Sequence, residues 1–191
     1  MRGADQLSLD KATSRGRRGH PVSSARWAQG RLTPVSSGEG KWRSRTANAD
    51  DLLFLYEGEL DYIREREPEQ AAAWLRAVDR NRELWRANLD RTTVLEIDGS
   101  AIGYAMWAVV DEVATVVTLH VRPAHRRHGL GATLLGLLID DVRRCGHGVL
   151  ALGVQRDNPA RRLYESAGFT AAGEDGDYLL LRRLLPPAPL S

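Results

Sequence analysis

The sequence predicts an α/β domain built around one mixed sheet, with elements in the order βααβββαβαββ. Two observations carry that expectation. Along residues 41–185 the apolar residues alternate between strand-like runs of period two and helix-like runs of period 3.6. The dipeptides Asp98-Gly99 and Asp111-Glu112 join three successive strand-like runs by turns too short for anything but hairpins.

The elements follow in order. Residues 1–40 are rich in Ser, Gly and Arg and show neither period. Such a segment cannot bury enough surface to offset its ordering entropy, so a disordered basic leader is expected. Residues 41–47 read as a short strand, and Asn48-Ala49-Asp50-Asp51 supplies helix-capping chemistry. On the helix that follows, Leu52, Leu53, Tyr56, Leu60 and Ile63 share one face. Pro68 ends it, and a second helix is expected over 69–89. Strands are expected at 92–97, 101–110 and 113–121. A helix over 131–144, a buried strand at 149–155 and a short helix at 159–167 come next. Asn158 is the expected cap of that short helix, with Pro159 at its first position and Gly168 as a left-handed stop. A hairpin of 170–172 and 178–184 closes the domain, and residues 186–191 form a Pro-rich tail. The domain thus covers 41–185.

At 191 residues, 42% hydrophobic and 27% charged, the chain has the composition of one soluble domain. No apolar run approaches the roughly 20 residues needed to span a bilayer, so no membrane partner is expected. Cys145 is the only cysteine. It excludes an intramolecular disulfide and a cysteine metal cluster, fits a cytoplasmic location, and reads as a small apolar filler near a helix end. No metal is expected. The net charge of +2 hides a split: residues 1–45 hold eight Arg and two Lys against Asp5, Asp10 and Glu39, a net +7, leaving −5 on the rest. A basic arm is one route to nucleic acid, but a lone Trp27 gives no aromatic interleaving, and nucleic acid is disfavoured.

The chemistry concentrates in His125-Arg126-Arg127-His128-Gly129-Leu130-Gly131-Ala132. A phosphate binds where backbone N–H groups converge at a helix N-terminus, aided by the helix dipole. Gly129 and Gly131 let the backbone approach a bulky pyrophosphate, and Arg126, Arg127 and His128 add positive charge. The Gly-Lys-Ser/Thr of a Walker loop is absent, and Gly-Leu-Gly-Ala-Thr-Leu does not meet the dinucleotide fingerprint.

Arg126-Arg127-His128-Gly129-Leu130-Gly131 follows the strand Leu119-His120-Val121-Arg122-Pro123, and about thirty residues later comes Asn158-Pro159-Ala160-Arg161-Arg162-Leu163-Tyr164-Glu165-Ser166-Ala167-Gly168-Phe169. Together these resemble the R-x-x-G-x-G and N-x-x-A-x-x-L-Y-x-x-x-G-F signatures of the GCN5-related N-acetyltransferase (GNAT) superfamily, with Ala160 one place early. Arg45-Thr46-Ala47 to Asp50 has the same look.

The resemblance implies a GNAT-like fold with splayed central parallel strands and acetyl-CoA as acyl donor. It implies that backbone groups of Leu119, His120 and Val121 bind the pantetheine arm. The loop from Arg126 to Ala132 (Arg126, Arg127, His128, Gly129, Leu130, Gly131 and Ala132) would hold the pyrophosphate, with Asn158 beside the donor. Tyr164 would act as the acid for the leaving thiolate. Many relatives carry Glu or His at the position of Thr115, so the base is sought elsewhere. By analogy the first helix and the next form the acceptor lid, where Glu59 of the first orients a cationic amine or takes its proton through water, while Glu57 and Asp61 turn away from its apolar face. Alternation points His120 away from the Thr115 face. Tyr104, Met106 and Trp107 are candidates for an acceptor pocket. The reading is an acetyl-CoA-dependent N-acetyltransferase whose partner is a small-molecule amine acceptor, with a homodimer allowed. A ribosomal-protein-type N-terminal acetyltransferase and a non-catalytic acyl-CoA sensor are the alternatives.

Overall fold

A computed structural model describes residues 42–186. The expected leader, residues 1–40, and the tail beyond residue 186 lie outside the described residues.

Strand β1 (Trp42–Thr46) leads into a 3-10 turn, Ala49–Asp51. The Asn48 side chain accepts the Asp50 N–H and the Asp51 carboxylate accepts the Asn48 N–H, both at 2.8 Å. Asp51 also takes two hydrogen bonds from Arg45, at 2.6 and 2.7 Å, so this acid rather than Asp50 anchors the corner. Helices α1 (Leu52–Arg66), α2 (Ala71–Arg76) and α3 (Val78–Ala87) follow. The expected single helix over 69–89 is therefore broken at Ala77. Residues 71–87 hold no Gly or Pro to mark the break; Trp74 on α2 is buried, with its ring 5.7 Å from that of Tyr56.

Strands β2 (Thr92–Ile97), β3 (Ser100–Val110) and β4 (Val113–Val121) form consecutive hairpins. Their turn residues all take positive φ: 49° and 77° at Asp98 and Gly99, 48° and 67° at Asp111 and Glu112. That conformation matches the right-handed twist of the flanking strands. Helix α4 (Leu130–Arg144), strand β5 (Val149–Gln155), helix α5 (Arg161–Ser166) and strands β6 (Thr170–Asp175) and β7 (Tyr178–Leu184) complete the chain. The seven strands lie in the order β1-β2-β3-β4-β5-β7-β6. Every pairing is antiparallel except β4 with β5, which is parallel and lasts only two residue pairs, Ala114 with Leu150 and Thr115 with Ala151. Beyond Thr115 the two strands part.

Each face of the sheet has its own core. On one, α4 buries Leu130, Leu134, Leu135, Leu138, Ile139 and Val142, an i, i+4, i+8 stripe whose members each contribute about 1.5–3 kcal/mol. On the other lies α1, with the α2–α3 pair behind it. Leu52, Tyr56, Leu60 and Ile63 do form an apolar face, and it packs with residues of α2 and α3, while Leu53 is 65% exposed. The side of α1 toward the sheet is a second stripe, Leu55, Gly58, Glu59 and Tyr62. Gly58 makes the closest approach: a Cβ there would sit 2.5 Å from the Tyr104 hydroxyl.

Two smaller expectations change. Cys145 is exposed rather than filling the core, because α4 has ended and turned outward at that point. Asn158 is not the cap of α5. Its side chain accepts the Ala160 N–H at 2.9 Å in the turn before the helix, and Ala160 occupies the cap position. Gly168 is the left-handed stop, with φ of 82°. Its N–H bonds to the Glu165 carbonyl and that of Phe169 to the Tyr164 carbonyl, satisfying the helix end.

Candidate active site

The site forms where β4 and β5 part. Between Met106 and Trp107 of β3 the pairing with β4 shifts by one residue, leaving Val117 as the extra residue of a bulge. Ala114 and Val116 belong to the α4-side core, and so do Leu119 and Val121 after the bulge. Thr115 before the bulge and Val117, Thr118 and His120 after its onset therefore face α1. This overturns the expectation that His120 points away from the Thr115 face: the inserted residue reverses the alternation. The Thr115 hydroxyl is engaged with the Val113 carbonyl at 3.2 Å.

Opposite the bulge stands Glu59. Its Oε1 accepts the Thr118 hydroxyl at 2.5 Å and lies 2.9 Å from the Tyr104 hydroxyl. Tyr104 also lies 3.2 Å from the Leu55 carbonyl, and its one proton serves one of the two at a time. Burial pushes the Glu59 pKa up, and the nearby Glu67 charge adds to it, more than the two hydroxyl donors pull it down. A carboxylate moved toward neutral pH in this way suits proton transfer. Tyr104 and Met106 are fully buried on the α1 side, and Trp107 faces α4, where its indole N–H bonds to Asp141 at 2.7 Å. The expected acceptor pocket from these three is thus core, apart from the Tyr104 hydroxyl.

The glycine corner stands at the head of the split. Arg127 and Gly129 both take left-handed backbone, with φ of 69° and 78°. Gly129 precedes α4 without any side-chain cap. Among the described residues the amides from Arg127 to Ala132 have no hydrogen-bond acceptor; the first satisfied one is Thr133, on the Gly129 carbonyl. Six consecutive free N–H groups at a helix start make an anion cradle. A Cβ on Gly131 would meet Leu163 at 3.5 Å and Leu119 at 4.0 Å, so the glycine keeps space open between β4 and α5. Leu130 is buried and anchors the helix; Arg127, His128, Gly129 and Ala132 are exposed. The Arg126 guanidinium bonds to the Val121 carbonyl at 2.9 Å and to Glu65 of α1 at 3.2 Å, tying the loop to that helix.

Tyr164 is buried with its ring 5.9 Å from that of Phe169. Burial pushes its pKa up to about 12, and its hydroxyl has no hydrogen-bond partner among the described residues.

The Acetyltransferase (GNAT) family model matches residues 54–169, more than half of the chain. The chain belongs to the GNAT family.

Among curated relatives, an L-methionine sulfoximine/L-methionine sulfone acetyltransferase of Salmonella typhimurium is 40% identical over 87 residues, 42% of this chain and 51% of that protein. The [Ribosomal protein bS18]-alanine N-acetyltransferase of Escherichia coli is 40% identical over 76 residues, 39% of this chain and 51% of that one. The chain thus spans about half the length of the curated relatives it matches. Among solved structures, the PaiA N-acetyltransferase of Thermoplasma acidophilum in complex with coenzyme A has a TM-score of 0.66 at 19% identity, over 76% of this chain and 99% of that one. YncA of Salmonella typhimurium with acetyl-CoA has a TM-score of 0.59 at 24% identity, over 78% and 96%. These two carry the GNAT fold.

Beside the GNAT signature residue Asn158 lies a cluster that sequence reasoning missed. The Asn158 amide lies 3.3 Å from the Tyr62 hydroxyl, and Glu67 accepts from Tyr178 at 2.8 Å and from Tyr62 at 3.3 Å. The signal was present in the i, i+3, i+4, i+7 stripe Leu55, Gly58, Glu59, Tyr62, but a stripe with a glycine and a glutamate does not read as a buried face.

Proposed function

We propose that the chain is an acetyl-CoA-dependent N-acetyltransferase that moves an acetyl group to a primary amine of a small, cationic molecule, by direct attack in a ternary complex. One observation carries the reading: six free amides stand at the head of a strand split that has an ionisable carboxylate on its α1 side. The acetyltransferase names of the relatives and the CoA-bound fold neighbours support it.

Acetyl-CoA, when bound, supplies the thioester acyl group. The amides of the loop from Arg127 to Ala132 donate to its pyrophosphate oxygens, and the β5-facing backbone of Leu119, His120 and Val121 bonds the pantetheine arm. Asn158 borders the donor. Glu59 accepts the proton of the acceptor ammonium, as its raised pKa suits it to do. A β4 amide on the free edge donates to the carbonyl oxygen as charge builds there. Tyr164, protonated throughout the physiological range, donates to the departing sulfur. The single cysteine fits a reducing compartment.

The match to a bS18-alanine enzyme favours a second reading, an N-terminal protein acetyltransferase. The body's net charge of −5 favours the small cation through steering.

Thermal unfolding of the full chain with and without acetyl-CoA tests the donor. Ligand at about 100 times its Kd stabilises by about 2.7 kcal/mol, an upward shift of roughly 5–10 °C. Turnover against free amines and an alanine-initiated peptide then tests the acceptor. A shift without turnover leaves a sensor, and no shift with acetyl-CoA removes the donor assignment.

A further inference from the structure

A cavity of about 280 Å³ lies between α1 and the segment after β4, lined by Phe54, Glu57, Gly58, Asp61, His120 and Arg122, with Pro123 and Ala124 at its edge. It is separate from the Glu59 site. At 100° per residue, positions 54, 57 and 61 fall on one flank of Gly58 and positions 55, 59 and 62 on the other. Gly58 itself is pressed against Tyr104 and His120, leaving no passage beneath the helix.

The floor of the cavity is His120, only 8% exposed. Its ring is held by stacking on Tyr104 at 5.3 Å and by the edge of Phe54 at 6.4 Å. Among the described residues its nitrogens have no hydrogen-bond partner, so they are open to a molecule entering the cavity. Burial, then Arg126, push its pKa down to about 4, so the imidazole is neutral and offers one donor and one acceptor. Around it stand three charges. Arg122 donates through Nε to the Ala101 carbonyl at 2.9 Å and lies 4.6 Å over the Phe54 ring. Its terminal nitrogens, and the carboxylates of Glu57 and Asp61, make no hydrogen bond or ion pair among the described residues.

We propose that this cavity is a second ligand site, for a small zwitterion of the free α-amino acid type. Its ammonium meets Glu57 and Asp61, its carboxylate meets Arg122, its aliphatic part lies on Phe54 and Pro123, and the His120 imidazole bonds the polar head. Charge selects the class. A simple amine leaves Arg122 unused, and a simple carboxylate meets two negative groups. A volume of about 280 Å³ accommodates a single amino acid. The site does not depend on the chain being a transferase.

The test uses the full-length chain without acyl donor, following the His120 imidazole by nitrogen NMR. L-Leucine, 3-methylbutylamine and 4-methylpentanoate are titrated in turn. L-Leucine is expected to shift the His120 signals saturably, and each singly charged analogue to bind about tenfold more weakly or worse. Asp61→Asn, at an exposed position, and Arg122→Ala should each weaken leucine by about tenfold as well. Equal binding of the amine alone overturns the zwitterion assignment. Binding lost in Glu59→Gln but intact in Asp61→Asn and Arg122→Ala puts leucine in the acceptor site and overturns the second site. No shift at about 10 mM leucine overturns it outright.

Discussion

Replacing Gly58 with alanine tests whether the seating of α1 on the sheet sets the position of Glu59. The new Cβ would lie 2.5 Å from the Tyr104 hydroxyl, 2.9 Å from Tyr104 Cε1 and 3.1 Å from His120 Cδ2. Carbon contacts settle at about 3.5–4.0 Å, so either Tyr104 moves or the helix lifts by roughly an ångström. Tyr104 has no room, being fully buried between Phe54 and His120, each with ring centres 5.3 Å away. Two terms oppose each other. Alanine favours the helix over glycine by about 1 kcal/mol. Overpacking costs about 1–3 kcal/mol, and losing the Tyr104–Glu59 hydrogen bond costs about 1.5–3 kcal/mol more. The net is a loss of about 1.5–5 kcal/mol, or roughly 3–20 °C in Tm. Urea unfolding measures the loss, and kcat/KM on the best acceptor measures the displacement of Glu59. A Tyr104→Phe background removes the nearest atom, so Gly58→Ala should cost at least about 1 kcal/mol less there. A Gly58→Ala protein as stable as the parent would refute the seating. An equal cost in both backgrounds would show that the hydroxyl contact is not what resists the methyl.

The remaining expectations concern chemistry. Glu59→Gln should lower kcat/KM by about 10²-fold and remove the acid limb of its pH profile. That limb lies above the usual carboxylate range because burial raises the Glu59 pKa. The same shift has a stability sign. Glu59's contribution is present below its unfolded pKa and lost as pH rises through the folded one, so Glu59→Gln should gain Tm relative to the parent at pH 8. Equal Tm differences at pH 4 and pH 8 would count against this. Tyr164→Phe should cut turnover by about 10²-fold while acetyl-CoA affinity stays within about twofold; unchanged turnover removes Tyr164 as the acid. Gly131→Val should abolish the acetyl-CoA-induced thermal shift while Tm without ligand stays within about 3 °C, since its Cβ meets nothing nearer than 3.5 Å. A normal shift would mean that the glycine loop does not hold the donor.

Residues 92–169 were largely legible because local and long-range demands agree there. The strand runs are β-branched or aromatic, their turns need only two residues, and the α4 stripe is uninterrupted. Helix α1 was less legible. Its buried sheet-facing stripe contains Gly58 and Glu59, whose burial is decided by Tyr104 and Thr118, each more than forty residues away. The break at Ala77 is likewise unmarked, since residues 71–87 hold no Gly or Pro.

The bulge shows why the site itself was hidden. Val113 to Val121 carries no glycine or turn residue to mark an insertion, and its place follows from pairing with Met106 and Trp107. Without the extra residue, Thr118 and His120 would face α4 and Leu119 would face α1. The Glu59–Thr118 contact and the His120 floor would then both vanish, and an isobutyl group would point at a carboxylate. One unpaired residue therefore builds the polar side of the candidate site. In the same strand, only Ala114 and Thr115, both before the bulge, pair with β5. Polar lining and open edge both lie at or beyond that residue, so a change that removed the bulge should cost both, whatever it did to the rest of the sheet.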